Sequence, residues 1–216
     1  MYRADGRRCN QARTMNVVKK EGVELEHGCS RVVSTLEYSR NSAKGFEVKV
    51  VLTDGAVQKE ISEKTVEQKQ EEIEKIVSQV FKDVYLEKDS RYVVHHRVKY
   101  VDGSLVALLV NSTSLVLLLY SVPVKHMVFG VSCGVSQRKR DEYLVDLTEE
   151  EEKERVPMGT VAVPYIKHKK MVSLVMFENC VPEDECEALI GTATKHLDSI
   201  AKDLVEKASK AFQLQR

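Results

Sequence analysis

The residues of this chain that could do chemistry fall into separate groups. His95 and His96 are adjacent in a strand-like run, so they point to opposite faces, cannot chelate one ion, and put at least one ring in solvent. His196 has no Cys, Asp or His at ligand spacing, so it is expected to be packed or exposed rather than catalytic. The five cysteines, Cys9, Cys29, Cys133, Cys180 and Cys186, are odd in number and include no C-x-x-C pair. That spacing argues against a zinc site or a disulfide framework and predicts buried, reduced thiols of an intracellular protein. No metal and no cofactor is expected. The run Glu149–Glu152 could supply carboxylates, but a dense charge run through Arg155 reads as a solvated loop. Two short basic clusters, Arg138-Lys139-Arg140 at a hairpin tip and His168-Lys169-Lys170, are either solvated turns or contacts to phosphate or a partner. Phosphate-binding loops of the Walker or Rossmann kind and a G-x-S-x-G elbow are absent.

The elements that must position these groups follow from apolar periodicity. Residues 1–20 are polar and basic and read as an extended arm. Val23 to Ser39 reads as a hairpin turning at Glu26-His-Gly28, with Val32, Ser34, Leu36 and Tyr38 on one face. Phe46, Val48, Val50 and Leu52 alternate as a strand ended by Thr53-Asp-Gly55. Ile73, Ile76, Val77, Val80, Phe81 and Val84 make the buried stripe of a surface helix over 60–83, with Thr65 as candidate cap and Gln68 three residues on. A Tyr- and Val-rich strand runs from Arg91 to Val101 and breaks at Asp102-Gly103. Ser104–Ser121 is then a buried helix stopped by Pro123. Strands follow at Val128–Val135, covered on both faces, and at Tyr143–Leu147. Thr160–Ile166 and Met171–Phe177 form a hairpin. Pro182 opens a terminal helix to residue 213, striped by Leu189, Ala193, Leu197, Ile200, Leu204, Ala208 and Phe212. The expected order is β-β-α-β-α-β-β-β-β-α, one mixed α/β domain over 1–216.

Composition sets the function classes. With 43% hydrophobic and 31% charged residues, the chain reads as an ordinary globular protein. Its 33 basic and 33 acidic residues cancel, whereas a free-standing nucleic-acid binder usually carries a basic excess. Weak RNA contacts inside a larger assembly stay compatible with this balance. The opening Met1-Tyr-Arg-Ala-Asp-Gly-Arg-Arg8 is too charged for a secretory signal. The most apolar run, Leu105–Val124, contains Asn111, Ser112, Thr113 and Ser114 and reads as a core helix rather than a membrane span.

Several segments taken in order resemble the RNase PH family. The junction Val101-Asp-Gly-Ser-Leu-Val-Ala with its helix is similar to that family's D-G-G-T-R strand–helix junction, and Ser121-Val-Pro-Val124 to its A-G-I-P-M turn. Met127-Val-Phe-Gly-Val-Ser-Cys-Gly-Val135 and Tyr143-Leu-Val-Asp-Leu147 resemble the strands that follow. Arg3-Ala-Asp-Gly-Arg-Arg8, with Asn10 and Arg13 after it, resembles the R-x-D-G-R opening of exosome ring subunits. The D-G-S-L form looks most like the non-catalytic eukaryotic ring subunits of the Rrp46 kind. The resemblance implies the ribosomal protein S5 domain 2-like fold. It implies heterodimers with other RNase PH-like subunits, three of which close a hexameric ring, with S1 and KH proteins as a cap. RNA is met through the complex, with no membrane role; a homodimer of the isolated chain is also expected to be possible.

In active relatives the D-G-G-T-R turn holds phosphate at a helix N-terminus and adds an arginine grip. Aligned on Asp102 and Gly103, this chain has Val106 where that arginine stands, and Ser104-Leu105 for the Gly-Thr pair. Asp146 fits the D-L strand, while Pro157 occupies the aspartate of the E-x-D-M segment and has no charge or titratable proton. The paired arginines that precede the first long helix of catalytic partners are reduced to Lys64 among acidic neighbours. No catalytic residue is expected, and Lys64, Arg138, Lys139 and Arg140 are the candidate RNA contacts. The expected function is a non-catalytic structural subunit of the exosome core ring in nucleus, nucleolus and cytoplasm, supporting 3′-to-5′ RNA processing and decay. The alternatives are an active phosphate-dependent 3′-to-5′ exoribonuclease, or a homodimeric nucleic-acid-binding or adaptor protein outside the exosome.

Overall fold

Side chains alternate across a strand and recur every three to four residues along a helix, and the apolar positions here follow both periods. The computed structural model describes residues 3–39, 45–56, 63–87, 90–137, 142–154, 156–166 and 171–213. Its elements are β1 (Met15–Lys19), β2 (Val23–His27), β3 (Ser30–Ser39), β4 (Gly45–Leu52), α1 (Glu63–Phe81), β5 (Arg91–Tyr100), α2 (Leu105–Leu119), β6 (Met127–Val135), β7 (Tyr143–Val145), α3 (Glu149–Lys153), β8 (Met158–Tyr165), β9 (Leu174–Glu178) and α4 (Glu183–Gln213). They build two sheets, ordered β1-β2-β3-β5-β4 and β7-β6-β8-β9. All neighbouring strands are antiparallel except β4 beside β5.

Helix α2 joins the sheets. It packs against β2, β3 and β5 on one side and β6 and β8 on the other, and all its residues from Val106 to Leu117 are buried. The four polar residues that interrupt its apolar run are its fasteners. Asn111 donates to the Gly130 carbonyl at 3.0 Å and accepts from the Gly130 N–H at 2.8 Å, and Ser114 accepts from the Val128 N–H at 3.0 Å. These bonds satisfy β6 backbone groups that the short β7, paired only with Cys133–Val135, does not reach. On the other side Ser112 meets Ser34 at 2.6 Å and Thr113 meets His96 Nε2 at 2.9 Å.

The tautomer of His96 follows from its partners. Thr113 Oγ1 donates to the Leu109 carbonyl at 2.8 Å, so it can only accept from His96 Nε2–H. Nδ1 is then the acceptor of the Ser34 hydroxyl at 2.6 Å. Burial pushes the His96 pKa down to about 3, which keeps the ring neutral. Its neighbour His95 points the other way, exposed and 3.1 Å from Glu37, as strand alternation requires.

Helix α4 lies on β1, β6 and β8 and buries Leu189, Ala193, Leu197, Ile200, Leu204 and Ala208. The Pro182 carbonyl accepts from the N–H groups of Glu185 and Cys186 at its start. Helix α1 runs beside β4, where Ser78 and Glu74 accept from the N–H groups of Val48 and Val50.

The structure changes several expectations. β1 lies inside the segment expected to be an extended arm, because Met15 and Val17 find a buried face against β2 and α4. Thr65 sits inside the first turn of α1, which already begins at Glu63, and is not its cap. Residues Glu149–Lys153 form α3 rather than a solvated loop, because Thr148 and Glu151 make a reciprocal capping box. Of the cysteines, all free, Cys133 is buried but Cys29 and Cys180 are exposed on turns, so the uniformly buried expectation fails. No helix among the described residues is long and apolar enough to cross a membrane.

The α2 fasteners can be weighed directly. Asn111→Ala orphans a buried N–H and a buried C=O, so urea denaturation is expected to show a loss of roughly 2–5 kcal/mol; a loss near zero would mean that Gly130 is not held this way.

Candidate functional site: an acidic cleft and a buried ion lock

The N-terminal arm is drawn into the fold by one carboxylate. Asp146 follows β7 with φ 59°, which turns its side chain under the arm, where it is fully buried. It accepts from the Arg13 backbone N–H at 2.6 Å and from Arg13 Nη2 at 2.7 Å. Arg7 lies at 3.3 Å and His27 Nε2 at 3.0 Å. Burial alone would raise the Asp146 pKa, but His27 and Arg13 outweigh it and hold the carboxyl far below the ordinary range. Arg13 reaches this position across Gly28, whose φ is +59° and where a Cβ would meet the Arg13 side chain at 2.5 Å. Arg13 continues to Asp102, bonding its carbonyl and lying 3.1 Å from its carboxylate. Arg3 bonds the Val145 carbonyl at 2.6 Å and pairs with Glu151 of α3.

Asp102 begins the turn into α2. Gly103 has φ +77°, and a Cβ there would meet the Leu147 carbonyl at 2.5 Å, so only glycine fits. Ser104 follows in the left-handed region and bonds Ser132 and the Leu147 carbonyl. Its N–H reaches Glu152, which lines a cleft of about 370 Å³ between α1, α3 and the ends of β4 and β9; Ser104 itself is buried and not part of that lining. The N–H donates at 2.6 Å to Oε1 of Glu152, the chain's own carboxylate. Glu149 and Glu178 line the same cleft, with Lys69 and Lys153 as its cations. Lys153 is paired with Glu149 at 2.8 Å. Desolvation, helped by Glu178, raises the Glu152 pKa to about 7 even though the Ser104 N–H favours its anion.

The residues singled out from sequence scatter around this cleft. Val106 is buried, and Leu105 lines the cleft instead. Pro157 lines a separate hollow beside β7 and the start of α4, while its neighbour Met158 faces the cleft. Asp146 lies in the lock and does not line the cleft. Lys64 is exposed at the start of α1 but outside the lining, which takes Thr65, Val66 and Lys69 from that helix. Arg138, Lys139 and Arg140, and His168-Lys169-Lys170, lie outside the described residues. Sequence reasoning missed Lys69 and set Glu152 aside within a run read as a solvated loop; the T-x-x-E signature of Thr148–Glu151 is the signal that α3 forms and aims Glu152. No group of three or more His, Cys, Asp or Glu side chains among the described residues is arranged to hold a metal ion.

Comparison with known proteins bears on the fold. No family profile matches the chain. It is 27% identical over 233 residues to the candidate exosome complex component RRP41 of Caenorhabditis briggsae, spanning 93% of this chain and 95% of that protein. The counterpart in Caenorhabditis elegans is 29% identical over 211 residues, 89% of this chain and 85% of that one. Rice (Oryza sativa) Rrp46 superposes with a TM-score of 0.78 at 18% identity, covering 96% of this chain and all of the rice chain, 100%. A chain of the Archaeoglobus fulgidus exosome with RNA bound to the active site gives 0.74 at 12% identity, covering 94% and 92%. The two-sheet α/β fold is that of the RNase PH-like proteins. Within that class the proteins it is similar to are exosome components.

Two measurements follow. Asp146→Asn leaves Arg13 and Arg7 facing a neutral group, and chemical denaturation is expected to show a loss of about 3–5 kcal/mol at neutral pH. Because the native pKa of Asp146 is depressed, its stabilisation is present above the ordinary Asp value of 3.8 and lost as pH falls below it, so the difference from wild type should shrink in acid. Glu152 behaves oppositely. Its native pKa is raised, so its contribution is fully present below 4.5 and is lost as pH rises through about 7. Glu152→Gln keeps the acceptor for Ser104 and should flatten that part of the stability–pH curve; an unchanged curve would show that Glu152 ionises normally.

Proposed function

We propose that this chain is a non-catalytic structural subunit of the RNA exosome core ring, of the Rrp46 type, which supports 3′-to-5′ RNA processing and decay by forming the ring and part of its RNA channel wall. The observation that carries this reading is the Glu152 carboxyl group bound to the Ser104 N–H at the start of α2. A helix dipole end contributes roughly 0.3–1 kcal/mol to a partly exposed anion. Glu149 and Glu178 stand in the same cleft, and no arginine lines it among the described residues. Phosphate therefore meets a Ser104 N–H already taken by Glu152 and lacks the bidentate cation that phosphoryl chemistry uses to neutralise charge. The arginines nearest the turn are engaged by Asp146, Asp102 and Glu151.

The partners proposed are other RNase PH-like subunits in heterodimers and a hexameric ring, S1/KH cap proteins, and RNA met through the complex. Lys64, Arg138, Lys139 and Arg140 are the proposed RNA contacts, and nucleus, nucleolus and cytoplasm the proposed locations. Incubating the pure chain with RNA, magnesium and inorganic phosphate is expected to give no nucleoside diphosphates, while the native protein is expected to co-purify with other RNase PH-like chains. Release of nucleoside diphosphates that Glu152→Gln alters would instead establish an active phosphorolytic enzyme.

A further inference from the structure

Like charges on neighbouring strands repel, so a sheet face gathers cations only where an anion lies among them. The five-stranded sheet has such a face on the side turned away from α2. Ser34 and His96 point to α2, so their strand neighbours Val33 and Arg97 point outward. Glu24 of β2 is the ladder partner of Val33 and shares that outer face, yet its side chain is only 1% exposed. Three cations close over it: Lys20 from the β1–β2 turn, Arg31 of β3 through Nε, and Lys99 of β5 at 3.5 Å. Arg97 stands two residues from Lys99 and is exposed between Val33 and Val51, and among the described residues no acid pairs with it.

A bulge adds an aromatic ring to this patch. Val32 pairs with Val98, but Arg31 pairs with Tyr100, so Lys99 is one residue extra on β5. Lys99 reaches Glu24 on the outer face, and Tyr100, the next residue, stands opposite Arg31 and is 55% exposed. Its ring lies against the backbone of Gly55, where a Cβ would come within 2.9 Å of it. Arg31 spends Nε on Glu24, and no described group bonds its two Nη atoms. The acids beside the patch are Glu26, 3.6 Å from Arg31, and the exposed Asp54 before Gly55. Farther along the face Lys49 is paired with Glu74 and His95 with Glu37.

The ring decides what the cations are for. An acidic peptide would use the cations alone, whereas a groove of cations with an exposed aromatic beside it is the arrangement on which single strands bind, phosphates tracking the charges and a base stacking on the ring. The free guanidinium fork of Arg31 suits a phosphate oxygen pair. We infer that Lys20, Arg31, Arg97, Lys99 and Tyr100 form a contact for single-stranded RNA on the outer face of the five-stranded sheet. A base stacks on Tyr100, and Arg31, Arg97 and Lys99 hold the neighbouring phosphates. Glu24 is the buried counter-charge that keeps Lys20, Arg31 and Lys99 together. The inference rests on the reading that this protein meets RNA; it does not depend on ring assembly, and its site is separate from Lys64 and the 138–140 cluster.

Fluorescence anisotropy of a labelled oligouridylate, titrated with the full chain at low salt, is expected to show binding. Its log–log dependence on salt should have a slope of about −2, from about −0.7 for each of three phosphates. Arg97→Ala and Lys99→Ala should each weaken binding several-fold and flatten the slope by about 0.7. Tyr100→Ala should weaken it roughly fivefold or more and leave the slope unchanged, a split that a damaged fold would not produce. All three variants are expected to keep the circular dichroism and thermal midpoint of the parent. Binding that none of the three alters overturns the proposal, as does no binding at low salt. Displacement by polyglutamate together with indifference to Tyr100→Ala would mark the patch as a surface for an acidic protein and overturn it too. Binding abolished by Lys64→Glu but intact in R97A, K99A and Y100A would sink this site while leaving the RNA reading in place.

Discussion

One buried carboxylate organises the part of this fold that faces function. Asp146 is surrounded by Arg13, Arg7 and His27, and those partners come from the N-terminal arm and from the end of β2. A carboxylate this deeply buried is tolerable only when paired and fully hydrogen-bonded. The requirement works in both directions. The arm is held down because Asp146 needs its cations, and Asp146 turns inward with a positive φ because the arm supplies them. Through Arg13 the same lock reaches Asp102, and with it the turn that starts α2.

The position of α2 then sets the rest of the core. Its buried surface joins two sheets that would otherwise have separate interiors, and its polar fasteners give it a fixed rotation and depth. Apolar packing alone is non-directional and would accept a helix slid or rotated by a fraction of a turn. Asn111 and Ser114 on β6, with Ser112 and Thr113 on β3 and β5, remove that freedom because any slip orphans several buried polar groups at once. The N-terminus of α2 is thereby aimed into the cleft, where electrostatics and not shape decides what can enter. The helix end is offered, but the nearest acceptor is Glu152 on α3, itself placed by the Thr148–Glu151 capping box. Glu149 and Glu178 stand there as well, so three carboxyl groups face two lysines although the chain as a whole is balanced.

Much of the fold was legible in the residue order. Asp102-Gly103 and Pro123 bound α2, the Leu189–Phe212 stripe traced α4, and His95 and His96 separated to opposite faces as alternation demands. The site was less legible, for physical reasons. A run of four glutamates has the composition of a solvated loop, yet a threonine three residues before one of them and an arginine from the far end of the chain turn it into α3. Val106 and Pro157 were chosen by alignment along the chain, but helix rotation and strand alternation bring Leu105 and Met158 to the cleft instead.

By itself the sequence determined the local periods, the helix stops, the left-handed turns that need glycine, and the class to which its motifs are similar. Those properties depend on residues close together in the chain. Only the tertiary structure decided which charges are buried and which of them meet. Arg3 and Glu151, Arg13 and Asp146, and Ser104 and Glu152 are each brought together from far apart in sequence, and no periodicity encodes a contact between elements whose relative placement is fixed only when the core closes around α2.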